Sequence, residues 1–308
     1  MRRSFMTLLG TAFGLLCLGG FLYSADLPEV WAVLSKVSLF HFLLLLLLGQ
    51  VLNFCRAIRW TLLLRPVADM SWGKAYVLTV IHFGANALLP ARAGEFIKPL
   101  LAKRETEASY SGIFATVVLE RVFDVVFLLI MLTIVLTQLS PMVSAADREW
   151  IVRLNYAGAV MAFVTASVLM ILLGLVFKRE WTRGVISSIL RYLPASLARR
   201  LGELIDTFVG GLYALQSIEL IAKSFFFSAL VWTVNLGVFY FAGRAVGIDL
   251  GYLGAALVQV VIAFAVALPQ GPGFIGVFQV AAELSLRLLG VSMNPAKAFA
   301  IVAWLLSA

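Results

Sequence analysis

The sequence predicts an all-α, polytopic membrane helical bundle with inverted repeats and two Pro/Gly-broken re-entrant hairpins. Three observations lead there. Hydrophobic residues make up 62% of the 308 and charged residues only 13%, too little polar material to coat a water-soluble globule. Uncharged stretches recur near the ~20 residues that a helix needs to cross a bilayer. A short pattern, L-P-x-x-x-G, appears once in each half, each time after a long apolar stretch.

Taken in order, Ser4 to Ala25 is the first apolar run, preceded by Arg2 and Arg3. Cleavage after Tyr23-Ser24-Ala25 would place bulky Tyr23 where a signal peptidase prefers a small residue, so an uncleaved anchor is expected. Leu39 to Cys55 follows, with unbroken leucine from Leu43 to Leu48. Next come Ala75 to Ala91, then Val125 to Ala146 as the tail of a helix beginning near Ser109, then Asn155 to Phe177. Between Lys178 and Lys223 the apolar residues Leu197, Leu201, Leu204, Ile205, Phe208 and Leu212 fall at helical spacing, with Arg199, Arg200 and Glu203 between them. That pattern predicts an amphipathic helix lying in the membrane interface on the cytoplasmic side. A solvated, lipid-facing scaffold accounts for it, and regulation or partner binding is the other reading. Ser224 to Gly243 is the next span. Leu250 to Ala282 is uncharged but interrupted by Pro269, Gly271, Pro272 and Gly273. The final run, Ala298 to Ala308, reaches only ~16 Å at helical rise, and the native chain is expected to continue past it.

The formal net charge of +8 sorts by position rather than forming a nucleic-acid patch, and no nucleic-acid partner is expected. With the N-terminus inside and 75–104 dipping in and returning, most Lys and Arg fall on the cytoplasmic side, Arg56, Arg59 and Arg65 among them. This is the bias of the positive-inside rule, and it predicts a multi-pass cytoplasmic (inner) membrane protein with a cytoplasmic N-terminus. Cys17 and Cys55 fall inside predicted spans, where they read as small packing residues without metal-site spacing.

The two halves correspond. In the first, Trp72 to Leu89 leads into Leu89-Pro90-Ala91-Arg92-Ala93-Gly94-Glu95-Phe96; in the second, Gly251 to Leu268 leads into Leu268-Pro269-Gln270-Gly271-Pro272-Gly273. The domain organisation that follows is one transmembrane domain, with a first repeat over about 39–140, a second over about 223–308 and the amphipathic segment over about 178–223. The topology delivers the two breaks from opposite sides. Broken apolar segments at matching positions of inverted halves point to a translocation pathway, because irregular backbone survives in a bilayer only where protein or water satisfies it.

New helices are expected near Ala91 and near Pro272, and their free N–H groups suit a phosphate or carboxylate. Arg92, Glu95 and Lys98 follow at three-residue spacing beside Gly94, while Gly271 and Gly273 sit at the second break. Together they make a candidate headgroup site; the plainer reading has Arg92 and Lys98 reaching the interface around a structural turn, with Glu95 pairing one of them. Glu120, Arg121 and Asp124 lie about a dozen residues into their helix, where charges need partners or a ligand. Arg121 can reach Asp124 along the helix as a structural pair. The functional reading puts Arg121 on a lipid phosphate, with Glu120 or Asp124 balancing it or binding a coupling ion.

The runs Asn86-Ala-Leu-Leu-Pro-Ala-Arg-Ala-Gly-Glu-Phe96, Glu120-Arg-Val-Phe-Asp124 and Pro269-Gln-Gly-Pro-Gly-Phe-Ile-Gly276 resemble, in order, the signature segments of the lysylphosphatidylglycerol synthase transmembrane (flippase-like) family. The resemblance implies a bacterial or archaeal membrane protein that moves an amphipathic lipid between leaflets. It carries over to Arg92, Glu95, Glu120, Arg121 and Asp124. Gln270 stands where the family usually shows a Ser-rich or Gly-rich turn. Members resembling the lysyl-lipid enzymes carry a soluble aminoacyl-transferring domain, which the 308 residues do not include, so synthase activity is not expected of them.

The expected function is therefore transbilayer movement of an anionic phospholipid or polyprenyl-phosphate-linked precursor, without a cofactor or metal. A homo-oligomer or a separate synthase is a possible partner. No Walker loop, H-E-x-x-H or G-x-S-x-G is present, which argues against an ATP-driven pump, a metalloprotease or a serine hydrolase. His41 and His82 stand alone and read as hydrogen-bonded helix residues. Two other classes stay open. A polyprenyl-phosphate-dependent glycosyltransferase or lipid-modifying enzyme would use the outer pair Asp26 and Glu29, and a non-catalytic membrane subunit would leave the intramembrane charges dispensable.

Overall fold

A computed structural model describes residues 15–89, 92–139, 148–178, 184, 188, 190–267 and 271–307. The prolines of the two breaks, Pro90 and Pro269, lie outside these residues, as do Ala91, Leu268, Gln270, the basic pair Arg2 and Arg3, and 140–147. The described chain consists of helices joined by turns and short loops and contains no strand. Its helices are α1 (15–23), α2 (Leu27–Leu34), α3 (Leu39–Leu64), α4 (Trp72–Leu88), α5 (Gly94–Glu105), α6 (Tyr110–Leu139) and α7 (Arg148–Phe177). After these come α8 (Ala195–Gly211), α9 (Ile218–Ala245), α10 (Gly251–Ala267), α11 (Val277–Leu288) and α12 (Met293–Ser307).

Local chemistry sets several boundaries. Ser38, Ser71 and Ser217 cap α3, α4 and α9 by accepting from the backbone N–H three residues on, each worth about 1 kcal/mol. Pro66, without an N–H to continue the ladder, stands just past the end of α3. Where both are described, predicted and observed spans agree in place and differ in length; 4–14 of the first run and 140–146 of the Val125 to Ala146 run lie outside the described residues. The second span does not stop at Cys55: α3 runs on to Leu64 and carries Arg56 and Arg59 into the bundle.

Leu39–Leu64, Val152–Phe177 and Ile218–Ala245 are each long and apolar enough to cross a membrane. Polarity is distributed inside out. Phe163 and Met170 on α7 are 74% and 70% exposed, whereas Arg59 and Glu120 are each 1% exposed. In water this would leave a large apolar surface uncovered around buried charge; in lipid it is the lower-energy arrangement.

α3 and α9 pack along one another at the centre. α6 lies against α3, α5, α9 and α10, while α12 lies against α2, α3, α9 and α11. α4 and α5 fold back on each other, so that Lys74 near the start of α4 meets Glu105 at the end of α5 at 2.7 Å. α10 and α11 do the same, with Gly254 near the start of α10 lying against the side chain of Leu289 just past α11. The amphipathic segment forms α8 as expected. Gly211 in α8 sits directly on the Gly112 carbonyl of α6, Ser111 and Thr207 hydrogen-bond beside it, and Leu197 and Leu204 remain exposed.

Candidate functional site

The two helical hairpins meet at their tips. Arg92, in the first tip, has φ +54° and donates from Nη2 to the carbonyl of Val266 in the last turn of α10 at 2.6 Å. The final carbonyls of a helix lack intrahelical donors and carry partial negative charge, so a guanidinium there acts as a C-terminal cap. Across the junction the same guanidinium lies 5.6 Å from the ring centroid of Phe274, which has φ +57°. Left-handed backbone costs a side-chain-bearing residue ~1–2 kcal/mol, and both instances among the described residues fall where the tips touch.

Two site glycines follow from this packing. A Cβ on Gly94 would fall 2.1 Å from the His82 carbonyl, so the turn of α4 into α5 admits no side chain there. Gly273 has φ +63° and approaches the Ala87 carbonyl of the other hairpin, while its own carbonyl accepts from Trp304 Nε1 at 2.7 Å. Gly271, at φ −67°, has a conformation open to any residue.

The expected helix starts shift, and with them the expected anion sites. α5 begins at Gly94 rather than near Ala91, and the Gly94 N–H donates to Asn86 Oδ1 at 2.9 Å. Near Pro272 there is only a short 3-10 turn, Pro272–Phe274; the α-helix begins at Val277, where the Gly276 N–H donates to Gln279 Oε1 at 2.7 Å. Each helix start already has an acceptor from its own chain. Arg92 likewise precedes α5 instead of lying in its first turn.

Behind the tips runs a charged network. Lys98 Nζ lies 2.7 Å from Glu120 and 4.0 Å from the centroid of the Trp60 ring. Arg59 reaches Asp124 at 2.6 Å, Glu120 at 3.5 Å and the Ser228 hydroxyl at 3.1 Å. Arg121 lies 3.3 Å from Asp124 and 3.6 Å from Glu95, which is itself 3.9 Å from His82 Nε2. Glu95 and Lys98 therefore share the α5 face toward α6, as their spacing predicts, but Glu95 pairs with Arg121 rather than with Arg92 or Lys98. Lys98 and Glu120 are enclosed among protein groups and do not line the cavity described next.

That cavity, of about 240 Å³, is bounded by Arg56, Arg92, Arg121 and Asp124, with Phe83 and Trp232 among its walls. Two adjoining cavities share Arg56 and Asn235 with it. Arg56 donates to Asn53 at 3.4 Å and lies 4.2 Å from the Phe83 centroid. Among the described residues neither Arg56 nor Arg92 has a carboxylate within 4 Å. Among the described residues Arg92 Nε and Trp232 Nε1 are buried donors without an acceptor, while Arg121 Nε has only the Glu95 carboxylate at 3.6 Å.

Sequence reasoning missed Arg56 and Arg59, which it assigned to the cytoplasmic flank. They are enclosed because α3 continues well past Cys55 and packs against α6 and α9. One signal was available: Arg56 and Arg59 stand three apart on the same helix face, with Asn53 three residues before them.

Asp26 and Glu29 have structural partners. The Asp26 carboxylate caps α2 by accepting from the Glu29 N–H at 3.2 Å, and Glu29 accepts from the Asn294 side chain on α12. A separate buried ion pair, Lys297 with Glu283 at 3.0 Å, joins α12 to α11. Lys297 also donates to the Phe21 carbonyl and to Ser24 at the end of α1.

An apolar exterior, long bilayer-length helices and a charged interior cavity define a polytopic helical membrane protein with a built polar site. The chain belongs to the family described as Lysylphosphatidylglycerol synthase TM region, whose pattern matches residues 7–308. It is also similar to a protein named "Glycosyltransferase AglD" from Haloferax volcanii, at 24% identity over 268 residues, covering 80% of this chain. The match spans 42% of that relative, so this chain corresponds to less than half of its length. No solved structure matches the chain significantly.

Proposed function

We propose that this protein moves an anionic lipid between bilayer leaflets, its phosphate passing through the Arg56–Arg92–Arg121 cavity while the acyl or prenyl tails stay in the membrane. The observation that carries the reading is the excess of guanidinium over carboxylate at that cavity: among the described residues Arg56 and Arg92 have no carboxylate partner. A charge with no counter-ion inside an apolar bundle is costly, and a phosphate bridging the two arginines removes the cost with charge-assisted hydrogen bonds.

The meeting of the hairpins supports the inverted-repeat reading. Each hairpin returns to the level at which it began, and they touch through their tips, as segments entering from opposite faces would. On this reading the halves, about 39–140 and 223–308, rock about the α3–α9 contact and expose the cavity alternately. The location is a bacterial or archaeal cytoplasmic membrane, with the N-terminus and α8 on the inner side. The substrate is an anionic phospholipid or a polyprenyl-phosphate-linked precursor, and a separate synthase or a second copy of the chain is a natural partner.

Leaflet exchange of short-chain fluorescent lipids in proteoliposomes tests this. Arg56→Ala and Arg92→Ala are each expected to slow exchange about tenfold or more, the scale of a lost hydrogen bond to a charged group. Unaltered exchange in both variants removes the site. Absence of exchange for every lipid tried, with folded wild type, removes translocation and favours the second reading, a lipid-modifying or glycosyl-transferring membrane enzyme. The similarity to a glycosyltransferase supports that reading; the N-cap and tether roles of Asp26 and Glu29 do not.

A further inference from the structure

Beside the arginine cavity, and sharing Arg56, Trp232 and Asn235 with it as walls, lies a smaller chamber of about 150 Å³ lined also by Gln259 of α10. Gln259 is 1% exposed, yet among the described residues neither its amide nitrogen nor its amide oxygen has a hydrogen-bond partner. The Trp232 indole N–H on the same wall is also buried and unpartnered. Buried polar groups are ordinarily satisfied, and each exception asks for an explanation. Here Gln259 and Trp232, which carry three unmet hydrogen-bonding atoms between them, line one chamber, with Phe274 and Trp304 as aromatic walls.

The chemistry that fits has three parts. An amide offers two N–H donors and a carbonyl acceptor, and an indole offers one donor. Together they match hydroxyl groups, which donate and accept at once. Aromatic faces pack against the C–H faces of a polyol or sugar ring. Among the described residues no carboxylate lines the chamber and the one charged residue is cationic Arg56, so a cationic headgroup would enter without a counter-ion beside a like charge.

We propose that the Gln259 chamber is a headgroup-recognition subsite, and that the preferred substrate carries an uncharged hydroxylated group on its phosphate, a glycerol or sugar, rather than an aminoacylated or other cationic one. This rests on the translocation reading: the phosphate sits at Arg56 and Arg92, and the hydroxylated group reaches past Arg56 to Gln259 and Trp232. Gln259 selects the substrate by satisfying its hydroxyls, so its loss acts on specificity rather than on phosphate binding.

Binding is measured first, separately from transport, as thermal stabilisation of the full chain in detergent by three short-chain probes: a phosphatidylglycerol, an alkyl phosphate monoester without a headgroup, and a lysyl-phosphatidylglycerol. Wild type is expected to bind the first most tightly. Gln259→Leu should weaken that binding about three- to tenfold, the worth of a neutral hydrogen bond, while leaving the headless monoester unchanged. Gln259→Glu should shift preference toward the lysyl lipid, a change that a merely structural glutamine would not produce. Equal weakening of all probes by Gln259→Leu, no weakening of any, or wild-type preference for the lysyl lipid would each overturn the assignment. The same probes in the exchange assay separate the two proposals: binding selectivity without exchange removes translocation and keeps the subsite, whereas exchange without selectivity removes the subsite and keeps translocation.

Discussion

Replacing Glu120 by leucine tests whether the buried network is a structural lock or part of the lipid path. Glu120 is 1% exposed and is the carboxylate that holds Lys98, at 2.7 Å; Arg59, at 3.5 Å, also has Asp124. The substitution strands the Lys98 ammonium against the Trp60 ring with no counter-ion. Breaking a buried pair by removing one partner costs about 3–5 kcal/mol. Lys98→Met should cost less, about 2 kcal/mol, because Glu120 keeps Arg59 and only part of its hydrogen bonding is lost. In the double variant no bare charge remains, so it should be more stable than Glu120→Leu alone, with a coupling of about 1–3 kcal/mol. Equilibrium unfolding in bicelles measures all four states, and leaflet exchange is read on the same samples. Retained exchange in the double variant is expected, since neither residue lines the cavity. Strictly additive losses would refute the lock, and a folded double variant without exchange would return Lys98 and Glu120 to the lipid path.

Two further outcomes follow from other contacts. Gly94→Ala forces a methyl to within 2.1 Å of the His82 carbonyl, which the turn cannot accommodate without moving α5. A loss of about 3 kcal/mol or more, at the upper end of overpacking costs, should appear as reduced folded yield on size-exclusion chromatography; near-wild-type yield would contradict the described turn. Lys297→Met removes the cation that ties Glu283 to the end of α1. Thiol labelling of Cys17, which lies in α1, should speed up severalfold while the bundle stays folded, and unchanged labelling would mean that α1 is held by apolar packing alone.

Much of the fold was legible because bilayer solvation is a local property of the chain. A run such as Leu39 to Leu48 declares a membrane helix whatever its neighbours are, and the Pro/Gly clusters declare where helices end. The same reasoning found α8, since Leu197, Leu201 and Leu204 repeat at helical spacing regardless of what they touch. It erred where a local rule competed with a distant partner. Arg56 and Arg59 beside an apolar run read as a cytoplasmic flank, but Asp124, 65 positions beyond Arg59, and Ser228, 169 beyond it, hold Arg59 inside. The helix starts near Ala91 and Pro272 were expected to offer free donors, yet Asn86 and Gln279 occupy the first of them at Gly94 and Gly276.

By itself, then, the sequence determined an all-helical membrane protein, its family, the positions of its two breaks and the presence of charge within its spans. Only the tertiary structure decided that the broken hairpins meet at Arg92, Val266 and Phe274, that Lys98 and Glu120 satisfy each other, and that cavities are lined by Arg56, and by Arg92 and Gln259 with unmet hydrogen-bonding atoms. The reason is physical. Hydropathy and helix termination are sums over neighbouring residues, whereas the environment of a buried charge or amide depends on which partners the packing of other helices brings within 4 Å, and sequence separations of 174 residues, as between Arg92 and Val266, carry no local trace of that meeting.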